Sequence, residues 1–294
     1  MITFKRLGSF GRLGNQLFQV ALLLGVQAMR GHTAAILKRG IATDLPPEGA
    51  SPDQKEARPV IELGPLAVSD MLPGLPGDWK PRLTYEEKSF AFDPTVFLQS
   101  DDVNFQGYFQ TEKYFEHCPE IIRKAFTFKP EIDLPARAYM AGLRSLRPGP
   151  WVSVHVRRGD YLKNPHLFTV VSADWCKAAM QWMRPQAGQP TQMAGPPQFL
   201  VFSDDIPWCR EHLSGGDVTF CTGHSHWQDM ATMSLCDHHI ISAGTFAWWG
   251  AWLNPNPNKM VLAPSPWFQP AMKADIKDIL PAGWFTLPET AKVG

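Results

Sequence analysis

Residues 151–160 read WVSVHVRRGD, an apolar run that ends in two arginines, a glycine and an aspartate. The β-branched residues Val152, Val154 and Val156 predict a buried strand. Arg157 and Arg158 then stand at the end of that strand, and the glycine after them lets the backbone turn sharply. The other strands and helices are predicted by their position relative to this strand.

The paired arginines predict an anion site. A guanidinium presents a planar fork of donors that fits phosphate better than any other side chain. We therefore expect Arg157 and Arg158 to neutralise the diphosphate of a nucleotide ligand. The alternative is that both form ion pairs with surface carboxylates such as Asp160, which is common for exposed arginines.

Short apolar strands alternate with helices beyond a break at Arg147-Pro148-Gly149-Pro150. This alternation predicts the α/β class with a parallel sheet that binds ligands at the carboxyl ends of its strands. The break predicts two domains, residues 1–149 and 150–294. Predicted strands are 151–156, 199–203, 218–220, 239–242 and 259–263, and predicted helices are 173–184, 227–235 and 246–253.

Two further strand ends carry polar residues. Ser242 ends one strand, and Thr245 and Phe246 open a helix whose free N–H groups form a second anion seat. Thr245 is also a candidate helix cap. Asp204 and Asp205 end another strand, and their carboxylates could accept the N1–H and amino hydrogens of guanine. The alternative for this pair is capping of the helix that follows.

The first half begins with a glycine-rich turn, residues 11–16, that leads into an apolar helix. Gly14, Asn15 and Gln16 could contact a ligand from the opposite side of a cleft, or they could simply cap the helix. The turn lacks the Lys-Ser/Thr of a P-loop, which argues against that kind of site. Loops are predicted at 40–81 and 185–198, and helices at 111–126 and 135–146.

The overall composition limits the possible partners. The 294 residues carry 28 basic and 28 acidic side chains, so no general field attracts nucleic acid or an anionic membrane. No segment reads as a signal peptide or a transmembrane helix, and we expect a cytoplasmic protein. The five cysteines lack regular spacing, which favours reduced thiols over disulfides.

No metal site is expected. The cysteines and histidines between positions 221 and 239 lack the paired short spacings of a zinc site, and ordinary packing is the preferred interpretation. The sequence also has no Asp-x-Asp, the arrangement with which many nucleotide-sugar enzymes hold a divalent ion on the diphosphate. Arginine would have to replace the metal.

Several segments together resemble the GDP-fucose-dependent fucosyltransferases, most closely the α-1,2-fucosyltransferases of glycosyltransferase family 11. Their order and spacing along most of the chain carry the resemblance. The segments are Gly11–Gln19, Gly107–Gln110 with Lys113–Phe115, His155–Asp160, Val201–Asp205 with Trp208, and Asp229–Leu253.

The resemblance implies a GT-B-type architecture, in which two Rossmann-like domains face a cleft. The first domain would serve the acceptor and the second would bind GDP-fucose, without a metal or another cofactor. The implied reaction is inverting transfer of L-fucose from GDP-β-L-fucose to the 2-hydroxyl of a terminal β-galactose. The acceptor would be an oligosaccharide such as lactose or a cell-surface glycan precursor.

Residue roles also follow from the resemblance. Arg157 is expected to hold the β-phosphate, His155 and Asp205 the guanine, and the backbone of Thr245-Phe246 the diphosphate. Asn15 is expected near the fucose. Asp160 is the candidate general base, with orientation of the neighbouring arginines as its alternative.

Two positions depart from the family pattern. Arg12 replaces a common glycine, and Ala243-Gly244 replace a common Asn-Ser. An arginine at position 12 resembles the pattern of the protein O-fucosyltransferases. A fucosyltransferase that forms another linkage or modifies a protein therefore stays an alternative. A non-catalytic glycan-binding protein of the same fold is the alternative from a different functional class.

Overall fold

The computed structural model describes residues 1–38, 60–184 and 196–292. Residues 40–59 and 185–195 of the two predicted loops lie outside this range. The chain divides into two compact units: Met1–Glu131 with Asp275–Pro281, and Ile132–Ala274 with Ala282–Gly294. This division falls earlier than the sequence break at residue 149, so the helix before that break belongs mainly to the second unit.

The described residues of the first unit form a parallel sheet and three α-helices. Its sheet has the order β1-β3-β2, with both pairings parallel. Helix α1 is buried along residues 16–26 because that run is almost entirely apolar, and it ends before Gly31, whose φ is 71°. The elements are β1 (Ile2–Thr3), α1 (Leu13–Arg30), α2 (Val68–Met71), β2 (Leu83–Glu86), β3 (Val103–Gln106) and α3 (Pro119–Ala125).

The single helix predicted at 111–126 is wrong. A 3₁₀ turn at Glu112–Tyr114, capped by the Thr111 side chain, precedes α3. Pro119 causes the break, because proline disfavours helical backbone at the residue before it and is well placed at a helix start. The next helix, α4 (Pro130–Leu146), begins five residues before its predicted start, with Pro130 in its first position.

The second unit is built round a six-stranded sheet in which every pairing is parallel. The predicted α/β class with parallel sheets is therefore confirmed. The strands are β4 (Trp151–Val156), β5 (Gln198–Ser203), β6 (Val218–Phe220), β7 (His238–Ile240), β8 (Val261–Ser265) and β9 (Phe285–Pro288). The helices are α5 (Ala173–Met183), α6 (Ile206–Leu213), α7 (His226–Ser234) and α8 (Thr245–Leu253).

The strand order β6-β5-β4-β7-β8-β9 contains a topological switch point between β4 and β7. The chain proceeds from β4 outward to β6, then returns to the other side of β4 and proceeds outward again. In sheets of this kind a crevice opens at the carboxyl ends of the strands on either side of the switch point, and ligands bind there. Residues after Val156 and Ile240 therefore border the expected crevice.

The tryptophans of α8 belong to the core. Trp248 and Trp249 are fully buried, and Trp252 is 6% exposed. These side chains therefore pack in the core and are not exposed for stacking on a sugar. Helix α8 thus lies firmly against the unit and its first turn is fixed at the end of β7.

Candidate active site

The ends of β4 and β7 bring three predicted site residues together. His155 is buried, and its Nδ1 lies 2.6 Å from Ser242 Oγ. The rings of His155 and Phe246 are 5.6 Å apart. Burial, with a smaller contribution from the Arg157 charge, lowers the pKa of His155 to about 3. His155 is therefore neutral and can act as a hydrogen-bonding group but not as a cation.

Both arginines of the opening run have carboxylate partners. Arg157 Nη1 lies 2.7 Å from Asp204 Oδ2, while its Nη2 donates to Asp160 Oδ1. Arg158 Nε donates to Asp205 Oδ2 at 3.0 Å. The ion pairs that the sequence offered as the alternative to anion binding are therefore present.

These pairs do not prevent the binding of a diphosphate. Exposed ion pairs are worth about 0–1 kcal/mol, whereas hydrogen bonds to charged groups contribute about 1.5–3 kcal/mol. Asp160 is 62% exposed and Arg157 is 37% exposed, so water already screens their pair. A phosphate that replaces Asp160 would form the stronger interaction with Arg157.

Asp204 and Asp205 hold the end of β5 in place. Asp205 caps α6 by accepting from Trp208 N at 3.2 Å, and the bonds from Arg158 and Trp208 lower its pKa. Asp204 Oδ1 accepts from Arg158 N at 2.9 Å. A Cβ on Gly159 would lie 2.5 Å from Asp204 Oδ2, so only glycine allows this approach. Recognition of guanine by either carboxylate stays a prediction.

Arg158 is fixed by stacking as well as by charge. Its Cζ lies 3.8 Å from the centre of the Trp208 ring. Its side chain is 15% exposed, much less than that of Arg157. Arg158 therefore has little freedom to move toward a ligand, and Arg157 is the more available phosphate-binding group.

Helix α8 begins at the same edge of the sheet. Gly244 occupies the N-cap position and Thr245 is the first helical residue, so Thr245 as the cap was wrong. Glycine is accepted at this position although it offers no side chain to the first N–H groups. The partial positive charge of the helix start therefore faces the crevice region without a capping side chain.

Tyr161 is a site residue that the sequence did not indicate. It lies in a 3₁₀ turn, Asp160–Lys163, and its hydroxyl donates to Ala243 O at 2.9 Å. Its ring stacks on Phe168 at 4.5 Å. Tyr161 thereby ties the turn that carries Asp160 to the backbone just before α8. A single tyrosine after an Arg-Gly-Asp run gives no sequence signal for this contact.

In the first unit, Asn15 and Gln16 have different surroundings. Asn15 Oδ1 accepts from Gln110 Nε2 at 3.0 Å. Gln16 is fully buried, donates to Val60 O at 2.9 Å and accepts from Glu62 N at 2.8 Å. The Gln16 amide therefore holds the backbone of a neighbouring segment and does not cap the helix, and its contact with a ligand stays a prediction.

Gly14 is also buried, within the first turn of α1. Glu62 anchors this turn by accepting from Leu13 N at 2.8 Å and pairing with Arg12. Arg12, one of the two departures from the family pattern, thus has a structural partner in this chain. Glu62 was not predicted because it lies within the segment 40–81, where the sequence indicated only loop.

One group of possible metal ligands occurs in the described part of the chain: Cys221, His224 and Asp229. Cys221 Sγ lies 3.2 Å from His224 Nδ1 and 3.5 Å from Asp229 Oδ1. Burial raises the pKa of Asp229 to about 7. Among the other histidines of this stretch, His239 bonds instead to Ser153 and Asn254, each at 2.8 Å. Metal independence stays a prediction.

The sequence predicted reduced cysteines and no transmembrane helix, and the structure bears on both points. All five cysteines are buried and unpaired. Among the residues described, no helix is both long enough and apolar enough to cross a membrane.

Comparison with known proteins identifies one matching family and several similar proteins. Residues 79–287 match the family described as glycosyl transferase family 11. An alpha-1,2-colitosyltransferase of Escherichia coli is 34% identical over 172 residues, which is 57% of either chain. Galactoside alpha-(1,2)-fucosyltransferase 1 of Homo sapiens is 31% identical over 258 residues, covering 83% of this chain and 63% of that protein.

The same chain is similar to a solved structure of POFUT1 in complex with GDP-fucose. The identity is 15% and the TM-score 0.47, over 88% of this chain and 96% of that one. This chain spans less than two thirds of the length of the two curated relatives described above, 57% and 63% respectively.

Proposed function

Because the chain belongs to glycosyl transferase family 11, we propose that it transfers L-fucose from GDP-β-L-fucose to the 2-hydroxyl of a terminal β-galactose. The transfer inverts the anomeric centre and needs no metal. The observation that carries the proposal is the convergence of His155, Ser242 and Phe246 with Arg157 at the switch point. The relatives named as galactoside fucosyltransferases support the acceptor class.

The donor would lie with its diphosphate against Arg157 and the first turn of α8. The bond between fucose C1 and the β-phosphate oxygen breaks through an oxocarbenium-like state, and charge accumulates on the leaving GDP. Arg157 and the α8 start would stabilise that charge, which is where fixed electrostatics accelerates a reaction most. Backbone donors of Thr245 and Phe246 would share this task.

The acceptor 2-hydroxyl oxygen would form the new bond to C1 and lose its proton to Asp160. Binding of the diphosphate to Arg157 would displace the Asp160 carboxylate from that guanidinium. The donor would thereby release the base that its own reaction requires. The role of Asn15 near the fucose stays a prediction from the family resemblance.

The partners in this proposal are GDP-fucose and a galactose-terminated oligosaccharide such as lactose. Five buried, unpaired cysteines support a reducing compartment, and we propose the cytoplasm. No cofactor is required, because Arg157 and the α8 start take the role that a divalent ion plays on other nucleotide sugars.

The proposal is tested by product analysis with one active-site variant. The full chain is incubated with GDP-fucose and lactose in the presence of EDTA, and the linkage of the product is determined by NMR. Arg157→Ala should abolish transfer while the melting temperature is retained, because the leaving phosphate loses its cation. Near-normal turnover in this variant would contradict the phosphate role.

Arg184→Ala is the matched control. Arg184 also pairs with a carboxylate, Asp217 at 2.7 Å, and lies over an aromatic ring, Phe199, at 4.9 Å. It lies beside the amino ends of β5 and β6, away from the switch point, and its loss should leave transfer unchanged.

A second donor is included because the Escherichia coli relative is named a colitosyltransferase. Turnover of a colitosyl nucleotide in preference to GDP-fucose would mean that the enzyme transfers colitose and not fucose. Binding of a β-galactoside without any binding of GDP would support a glycan-binding protein instead.

A further inference from the structure

Three aromatic side chains and one arginine form a surface cluster in the first unit. Phe10 and Tyr108 meet edge to face at 6.0 Å, and Phe90 stacks on Tyr108 at 6.0 Å with an interplanar angle of 12°. Arg6 Cζ lies 4.5 Å from the centre of the Phe10 ring. The three rings are half-buried and Arg6 is exposed. We refer to Arg6, Phe10, Phe90 and Tyr108 as the aromatic platform.

A half-buried carboxylate, Glu87, and a buried amide, Gln19, fix the backbone that carries the platform. Glu87 accepts from the N–H groups of Tyr108 and Phe109, both at 2.7 Å. Gln19 is 1% exposed, and its Nε2 lies 2.9 Å from Gly107 O and 3.4 Å from Phe10 O. One glutamine therefore joins the two segments that carry the rings of Phe10 and Tyr108.

Gly107 shows how closely this backbone is packed. Its φ is 149°, and a Cβ there would lie 2.3 Å from Glu87 Cβ. No other residue fits without displacing the carboxylate that holds Tyr108. A surface whose geometry is fixed in this way loses little conformational entropy when a ligand binds.

The platform has the chemistry of a sugar-binding surface. Clustered apolar side chains at a protein surface commonly mark a binding site. In the described part of the chain no carboxylate pairs with Arg6, whose guanidinium offers five N–H donors. Flat rings beside a guanidinium suit a ligand that has one apolar face and a rim of hydrogen-bond acceptors, such as the hydroxyls of a sugar.

We propose that the aromatic platform binds a pyranose ring of the galactoside acceptor, an inference that rests on the proposed function. The axial 4-hydroxyl of galactose leaves the C–H groups of C3, C4 and C5 together on one face, which can pack on Phe10 or Tyr108. Arg6 would donate to the hydroxyls at the rim. Phe10 lies on the same turn that leads into Asn15, the residue expected near the fucose.

Phe10→Leu and Tyr108→Leu test the proposal, because leucine stays apolar but removes the flat ring. Each should raise the KM for lactose about three- to tenfold. The KM for GDP-fucose and the affinity for GDP should not change. Unchanged KM values for lactose in both variants would overturn the proposal.

Phe285→Leu is the matched control. Phe285 is 46% exposed and its ring lies 5.1 Å from that of Trp182, in the second unit. It is a comparable surface aromatic outside the platform, so its loss should leave both KM values unchanged. Arg6→Ala, at an exposed position where folding is not at risk, should raise the KM for lactose about two- to fivefold.

A measurement without catalysis separates this proposal from the proposed function. Saturation-transfer NMR with methyl β-galactoside alone should show contact at H3, H4 and H5 of the sugar in the wild type, and weaker contact in Phe10→Leu. Such contact in a protein that transfers no fucose would support the platform while the proposed function fails. Absence of contact, or a loss of GDP affinity in Tyr108→Leu, would overturn the platform as an acceptor site.

Discussion

At the scale of single residues, Arg157 is shared between two carboxylates of unequal exposure. Asp160 is 62% exposed and Asp204 is 26% exposed. Water screens the first pair more strongly than the second, so a diphosphate that binds Arg157, as proposed, would displace Asp160 at lower cost. Asp204, which also bonds to the backbone of Arg158, holds the guanidinium in place. The structure thus offers one exchangeable partner and one fixed partner.

Asp160→Asn separates a base from a residue that only orients Arg157. Loss of the competing charge should raise GDP affinity about two- to fivefold. Loss of the proton acceptor should lower kcat about 10²- to 10⁴-fold. Calorimetry and initial rates measure the two effects independently.

Asp204→Asn provides the comparison, since it should weaken GDP binding. A normal kcat in Asp160→Asn would show that Asp160 serves orientation alone.

Residues on strand ends were predictable, whereas residues that act through tertiary contacts were not. Arg157, His155 and Ser242 follow apolar runs, and parallel topology alone places such ends together. Tyr161 and Glu87 act on backbone that is distant in sequence, Tyr161 on Ala243 and Glu87 on Tyr108. No local pattern contains those pairings.

At the scale of elements, two helical glycines have opposite environments. Gly25 in α1 is buried, and a Cβ there would lie 2.0 Å from Tyr114 O. Gly142 in α4 is exposed, and a Cβ there would have nothing within 4 Å. The first glycine is required for close packing of α1 on the 3₁₀ turn, and the second has no packing role.

Alanine at these two positions should change stability in opposite directions. Gly25→Ala should destabilise the protein by about 1–3 kcal/mol, because backbone atoms must move apart. Gly142→Ala should stabilise it by about 0.5–1 kcal/mol, because glycine in a helix interior costs conformational entropy. Melting temperatures measured by circular dichroism test both predictions. Equal shifts of the melting temperature in the two variants would contradict the packing described for α1.

Element boundaries were predictable where the local pattern was unambiguous. Strand β4 was predicted with its observed bounds because β-branched valines occupy every second position of its run. Strand β9 was missed, since its residues are largely exposed and it contains Pro288. A strand at the edge of a sheet needs neither a continuous apolar run nor every backbone N–H, so its sequence carries little signal.

At the scale of the whole molecule, the chain returns to the first unit near its carboxyl end. Asp278 lies in the segment 275–281, accepts from Phe92 N at 2.9 Å and pairs with Lys113. Burial alone would raise the pKa of Asp278, but the bonds from Lys113 and Phe92 outweigh it and the pKa is lowered. The sequence division at residue 149 could not anticipate this return, because contacts between distant segments determine it.

Asp278→Asn should destabilise the first unit by about 1–3 kcal/mol, because a buried charged hydrogen bond to Lys113 is lost. In the wild type this contribution is present above the ordinary aspartate pKa and is lost as the pH falls through the lowered folded-state value. Hydrogen exchange of peptides from β2 and β3 should quicken in the variant, and those from β4 and β5 should not. Uniform quickening in both units would contradict the assignment of this segment to the first.

The late return of residues 275–281 also bears on how the protein is made. A ribosome releases the chain from its amino end, and domains ordinarily fold in that order during synthesis. Here Asp278 reaches Phe92 and Lys113 only after β8 has emerged, and β9 emerges later still. Both units therefore stay incomplete until these late segments have been synthesised. A nascent chain of this kind must be kept from aggregating until its last strand is released.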